Sequence, residues 1–70
     1  MLRHSPENSS NIEHIAYHPG DRELHVTFKS GGTWVYSGVD EDIFHGMKNA
    51  ESPGGFLHRN VKGRFGERKI

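Results

Sequence analysis

Three sets of side chains in this chain are of types and spacings that could do chemistry. His4, His14, His18, His25, His45 and His58 are a dense set for 70 residues, and imidazole is both a metal ligand and an acid–base group. Trp34 and Tyr36 stand two apart, the spacing that puts both rings on one face of a strand. Arg59, Lys62, Arg64, Arg68 and Lys69 crowd into residues 59–69 with Phe65 among them. Cations interleaved with an aromatic ring suit a phosphate backbone with unpaired bases, and Lys29 is a further cation available to it.

The histidines do not fall into a metal pattern. A cross-strand pair of His14 and His25 would supply two ligands, with His18 at the same strand edge. Zinc needs at least a third protein ligand, for which Glu23 or Asp21 is the neighbour in sequence. No His-x-x-x-His spacing falls on an expected helix, since the two helices carry one His each, His45 and His58, and the chain has no Cys, so Cys-based zinc sites and disulfides are excluded. The expected role of these imidazoles is as solvated surface groups, with no metal and no cofactor.

Covalent catalysis lacks its parts, since there is no Cys, no Gly-x-Ser-x-Gly and no Ser placed beside a His by a motif. Asp40, Glu41 and Asp42 read as a helix start, where acidic groups suit the positive end of the dipole. Ser30-Gly31-Gly32 and Ser52-Pro53-Gly54-Gly55 lack the Lys and spacing of a phosphate loop. Ser52 to Gly55 could receive one phosphate on backbone N–H groups, or could simply cap a helix. The expectation is a protein that is not an enzyme.

The net charge of +0 divides unevenly. Residues 1–51 hold four Lys and Arg against eight Asp and Glu, a net of −4, and residues 52–70 hold five against one, a net of +4. An acidic body thus carries a basic end, which can seek phosphate or simply favour the C-terminus of a helix. Only 31% of the chain is apolar, and a chain this short buries only about 60% of its unfolded surface. There is room for a single small domain and none for a deep enclosed site. No apolar run reaches the length of a membrane span, and residues 1–10 lack the core of a secretion signal, so a reducing cytoplasm is the expected compartment.

The elements that must position these groups follow from periodicity. Residues 1–9 are polar and unpatterned, which predicts a disordered arm. Ile12, Ile15 and Tyr17 precede a His18-Pro19-Gly20-Asp21 turn, and Leu24, Val26 and Phe28 alternate strictly through the next strand. Thr33 to Ser37 is a third β-prone run after Ser30-Gly31-Gly32. From Val39 the period lengthens, with Ile43, Met47 and Ala50 in a helical stripe that Phe44 widens and Asp40 as N-cap. Ser52-Pro53 restarts a helix to about Arg64 carrying Phe56, Leu57 and Val61. The expected fold class is α+β, a three-stranded antiparallel meander followed by two helices packed on one face (β-β-β-α-α). Its domain would be residues 10–65, with 66–70 a basic tail.

Register decides which groups face solvent. A first turn at Pro19-Gly20 pairs Ile15 with Leu24 and His14 with His25. A two-residue loop at Ser30-Gly31 or Gly31-Gly32 puts Trp34 and Tyr36 on the face away from Leu24, Val26 and Phe28, beside His14, His25, Thr27 and Ile12. An odd loop such as Ser30-Gly31-Gly32 would turn both rings into the core. The two-residue loop is the expectation, and it yields an aromatic, histidine-lined surface of the kind that stacks unpaired bases.

The residues Ser10-Asn11-Ile12, Ile15, Tyr17, Leu24-x-Val26-x-Phe28, a Gly turn, Trp34-Val35-Tyr36, Gly38-Val39, Ala50-x-Ser52, Gly54 and Val61-Lys62, in that order, resemble the KTSC domain. This unit is found at the C-terminus of some lysyl-tRNA synthetases and as free-standing bacterial or phage proteins. The resemblance spans residues 10–65. The family's Tyr-x-Tyr signature stands here as Trp34-Val35-Tyr36, and Phe56 and Asn60 match its later positions loosely. It implies the α+β fold and a suspected role in RNA binding, with no established activity. The expected function is therefore a non-catalytic module that binds RNA through Trp34, Tyr36, Lys29, Arg59, Lys62, Arg64, Arg68 and Lys69. The alternative is a protein-interaction or homodimer module using the Trp34/Tyr36 face.

Overall fold

A computed structural model of the chain describes residues 1–7 and 9–70. The described residues form four strands, two helices and a fifth strand, all strands antiparallel: β1 (Leu2–His4), β2 (Ile12–His18), β3 (Glu23–Phe28), β4 (Thr33–Ser37), α1 (Glu41–Asn49), α2 (Pro53–Asn60) and β5 (Gly66–Lys69). The sheet order β1-β2-β3-β4-β5 follows the chain. The α+β class holds, and the central meander is the one the alternation predicts, but the sheet has five strands where three were expected.

Both extra strands correct an expectation. Leu2–His4 pairs with β2 through Leu2↔Tyr17 and His4↔Ile15, in a segment read as a disordered arm; Asn8 of that arm lies outside the described residues. Gly66–Lys69, read as a tail, pairs with β4 through Trp34↔Lys69 and Ser37↔Gly66. Neither segment has an apolar period. Each is ordered because β2 and β4 would otherwise leave rows of backbone N–H and C=O groups unpaired at the sheet edges.

Two turns decide the facing of every side chain. At the first, His18 pairs with Glu23 and Ile15 with Val26, a slip of two residues that leaves the expected faces intact. At the second, Phe28 N–H donates to Gly32 O at 3.1 Å and Gly31 N–H donates to Phe28 O at 2.9 Å. This closes a three-residue loop of Lys29, Ser30 and Gly31. Gly31 and Gly32 have φ of 97° and 91°, a region open to glycine at no steric cost. The odd loop pairs Val26 with Trp34 and Leu24 with Tyr36, so both rings lie on the core side. A bulge between Ile12 and His14 then restores parity in β2. It allows Ile12 and Ile15, three apart, both to be fully buried, where Ile12 was expected on the other face.

Ile12, Ile15, Tyr17, Leu24, Val26 and Tyr36 of the sheet form one buried cluster with Val39, Phe44, Met47, Leu57 and Val61. The Tyr17 hydroxyl donates to Val39 O at 2.5 Å and fixes the entry to α1. Asp40 stands at the N-cap as expected, yet its side chain caps nothing. Its carboxylate instead accepts from Arg22 of the first turn. Ser52 does cap α2, accepting from Gly55 N–H at 3.1 Å, with Pro53 at the first helical position. The helix ends at Asn60, short of the expected Arg64, and Phe65 packs on the core from beyond it. Gly46 admits the Phe56 ring, which would stand 2.7 Å from a Cβ at that position and sets the approach of α2 to α1.

Candidate nucleic-acid interface

The residues expected to bind fall into three groups. Tyr36 is 0% exposed, so it cannot meet a base while the sheet is folded, and the aromatic platform expected from Trp34 and Tyr36 does not form. Trp34 is half-buried and packs against the core. Burial raises the Tyr36 phenol above its ordinary pKa, with Glu67 on β5 adding to the shift. Its hydroxyl is buried without a hydrogen-bond partner among the described residues.

Two of the expected cations are engaged. Lys29 Nζ donates to Ser9 O at 2.6 Å while its backbone N–H donates to Asn11 O, so this residue staples the start of β2 to the second turn. Arg68 Nη2 donates to Glu23 Oε2 at 3.1 Å and Nη1 reaches Ser37 Oγ at 3.4 Å. The Arg68 guanidinium, and then the His25 ring, hold the Glu23 carboxyl below the ordinary carboxylate range.

Arg59, Lys62, Arg64 and Lys69 are exposed, and none has a carboxylate partner among the described residues. Arg59 lies in the last turn of α2, and Lys62 and Arg64 lie in the turn that follows. Arg64 Nε donates to Arg59 O at 3.2 Å, a cation at a helix C-terminus where the dipole favours it. One N–H is spent there, and the other guanidinium donors remain available.

The opposite sheet face is the part the sequence reading misassigned. Without Trp34 and Tyr36 it carries His14, His18, His25, Thr27, Thr33 and Ser37, all half-buried. The His18 and His25 rings lie with centroids 4.3 Å apart and planes tilted by 41°. The expected cross-strand partners were His14 and His25, and the slip of two brings His18 to His25 instead. Thr27 and Thr33 pair their hydroxyls at 3.0 Å. No group of three or more potential metal ligands is assembled among the described residues.

A cavity of about 290 Å³ opens between the end of β1 and the junction of the helices, and its lining includes His4, Glu7, Lys48 and Glu51. None of the C-terminal cations lines it. Among the described residues no helix is long and apolar enough to cross a membrane.

Residues 8–65 match the KTSC domain. The chain belongs to this family. A KTSC domain protein from Yersinia pestis, known from its crystal structure, is 38% identical, and the two align over 99% of this chain and 96% of that one with a TM-score of 0.90. A protein of Tsukamurella paurometabola, described only as a protein, is 38% identical over 60 residues, 86% of this chain and 90% of that one. The positions that carry the KTSC resemblance do structural work. Asn11 packs its carboxamide where a Cβ on Gly54 would stand, 2.8 Å from Oδ1, so the start of β2 meets the first turn of α2. Gly38 takes φ of 79° between β4 and α1. Ser9 is a contributor the motif reading missed: its hydroxyl accepts from Ile12 N–H and donates to Asn11 Oδ1. Polar residues ahead of a strand are a weak signal, and nothing in the sequence singles Ser9 out from Ser10.

Proposed function

We propose that this KTSC domain is a non-catalytic module that binds RNA, with Arg59, Lys62, Arg64 and Lys69 as its phosphate contacts. The observation that carries this reading is the state of the cations. The acidic part of the chain neutralises Arg22 and Arg68, while the four cations of the C-terminal end stay exposed and unpaired among the described residues. Unpaired cations clustered over a short segment are what a polyanion needs, because each neutralised phosphate releases counterions. Phe44, Met47 and Leu57 of the helices share one buried cluster with Leu24, Val26 and Tyr36, while His14, His18, His25, Thr27, Thr33 and Ser37 of the opposite sheet face are half-buried. Binding of RNA in a cytoplasmic setting is the role that fits this distribution of charge.

Fluorescence anisotropy with a labelled single-stranded RNA at low salt tests the proposal. The wild type should bind, and the Arg59→Ala/Lys62→Ala/Arg64→Ala variant should lose most of the affinity with its fold unchanged by circular dichroism. Equal binding by the two proteins would remove these cations from the interface.

A further inference from the structure

The strand register brings one residue from each strand into a single row on the outer sheet face. Arg3 pairs with Ala16, Ala16 with His25, His25 with Val35, and Val35 with Arg68. Arg3 and Arg68 therefore stand on the two edge strands, their backbones about 19 Å apart if strands are about 4.8 Å apart, and the Arg68 guanidinium reaches inward across β4 to Glu23. Beside this row lies a second, in which His18 pairs with Glu23 and Glu23 with Ser37. The His18 and His25 rings, tilted by 41° with centroids 4.3 Å apart, lie together on β2 and β3, and the paired hydroxyls of Thr27 and Thr33 lie further along the same face.

We propose that this face takes an unpaired stretch of RNA, with a base stacked on the His18–His25 pair and flanking phosphates on Arg3 and Arg68. The inference rests on the RNA-binding reading and specifies single strands as the ligand. Imidazole rings serve as stacking surfaces for unpaired bases, and a sheet whose central rings stack bases is a common single-strand platform. The charge is complementary: Arg3 and Arg68 face a single carboxylate, Glu23, in the paired rows, and that carboxylate is already held by Arg68 and His25. Arg68 keeps donors free after its contacts to Glu23 and Ser37. Those contacts also fix the guanidinium in place, so less side-chain freedom is lost on binding. A duplex hides its bases in the stack and offers this platform only phosphates.

The test measures binding of a labelled twelve-nucleotide single-stranded RNA and of the same sequence in a duplex, using the whole chain. The expected result is preference for the single strand, a loss of about tenfold in the His18→Ala/His25→Ala variant, and retention of binding in His18→Phe/His25→Phe, since one stacked base is worth about 1–3 kcal/mol. Amide shift changes in wild type at His18, His25 and Val35 provide a readout independent of the variants. Wild type that binds with no preference for single strands, or with shifts confined to residues 59–65, overturns the proposal and leaves the RNA-binding reading standing. Absence of any binding at low salt overturns both.

Discussion

Arg68 of β5 spans β4 to reach Glu23 of β3, with Nη2 and Oε2 3.1 Å apart. This contact ties the last strand to the middle of the sheet by a side chain as well as by the β4 ladder. All four residues of β5 are exposed, so apolar burial contributes little to holding the strand.

Acid should therefore loosen the C-terminal strand. The Glu23 carboxyl is held below its ordinary value of 4.5 by Arg68 first and His25 second. A carboxyl depressed on folding contributes stability that is fully present above its unfolded value and is lost as the pH falls through the folded one. Trp34 pairs with Lys69 of β5, so its fluorescence reports on the strand. Wild type should lose stability as the pH drops below 4.5, and Glu23→Gln should show a smaller loss over the same range.

The two core tyrosines should respond oppositely to loss of their hydroxyls. Tyr17 donates to the Val39 carbonyl, and Tyr17→Phe leaves a buried acceptor unpaired. A loss of about 1–3 kcal/mol is expected in urea unfolding. Tyr36 holds a buried hydroxyl with no partner among the described residues, so Tyr36→Phe removes an uncompensated polar group and should be neutral or stabilising by about 1 kcal/mol.

Much of the fold is legible in the sequence wherever side chains decide it. The alternation of Leu24, Val26 and Phe28, the stripe from Val39 through Met47, and the Ser52-Pro53 start of α2 all read correctly. What is not legible is set by backbone pairing and by turn geometry. Arg3 and Glu67 carry no strand signal, and their strands exist because neighbouring edges need partners. The second turn hides more. Ser30, Gly31 and Gly32 are compatible with an even or an odd loop, and the choice of the odd one exchanges Trp34 and Tyr36 for Thr33, Val35 and Ser37 beside the expected His14, His25 and Thr27 on the outer face. The C-terminal cations, by contrast, are visible as a charge run, and the structure adds which of them are already paired.

Close packing of the helices predicts a conflict at Gly46. Alanine in a helix interior ordinarily gains about 0.8–1 kcal/mol over glycine, yet a Cβ at this position would lie 2.7 Å from the Phe56 ring. Gly46→Ala should therefore fail to stabilise and should cost about 1 kcal/mol or more. Phe56→Leu combined with it should recover part of the loss, and a double-mutant cycle read by thermal unfolding measures that coupling.

The salt dependence of RNA affinity tests the central claim most directly. For single strands the slope of log K against log salt is about −0.7 per neutralised phosphate, so removing Arg59, Lys62 and Arg64 should make the slope shallower by about 2. The predicted result is steep weakening of wild-type binding with salt and a shallower slope in the triple alanine variant. Wild-type binding that is absent at low salt, or a slope the variant leaves unchanged, would contradict it.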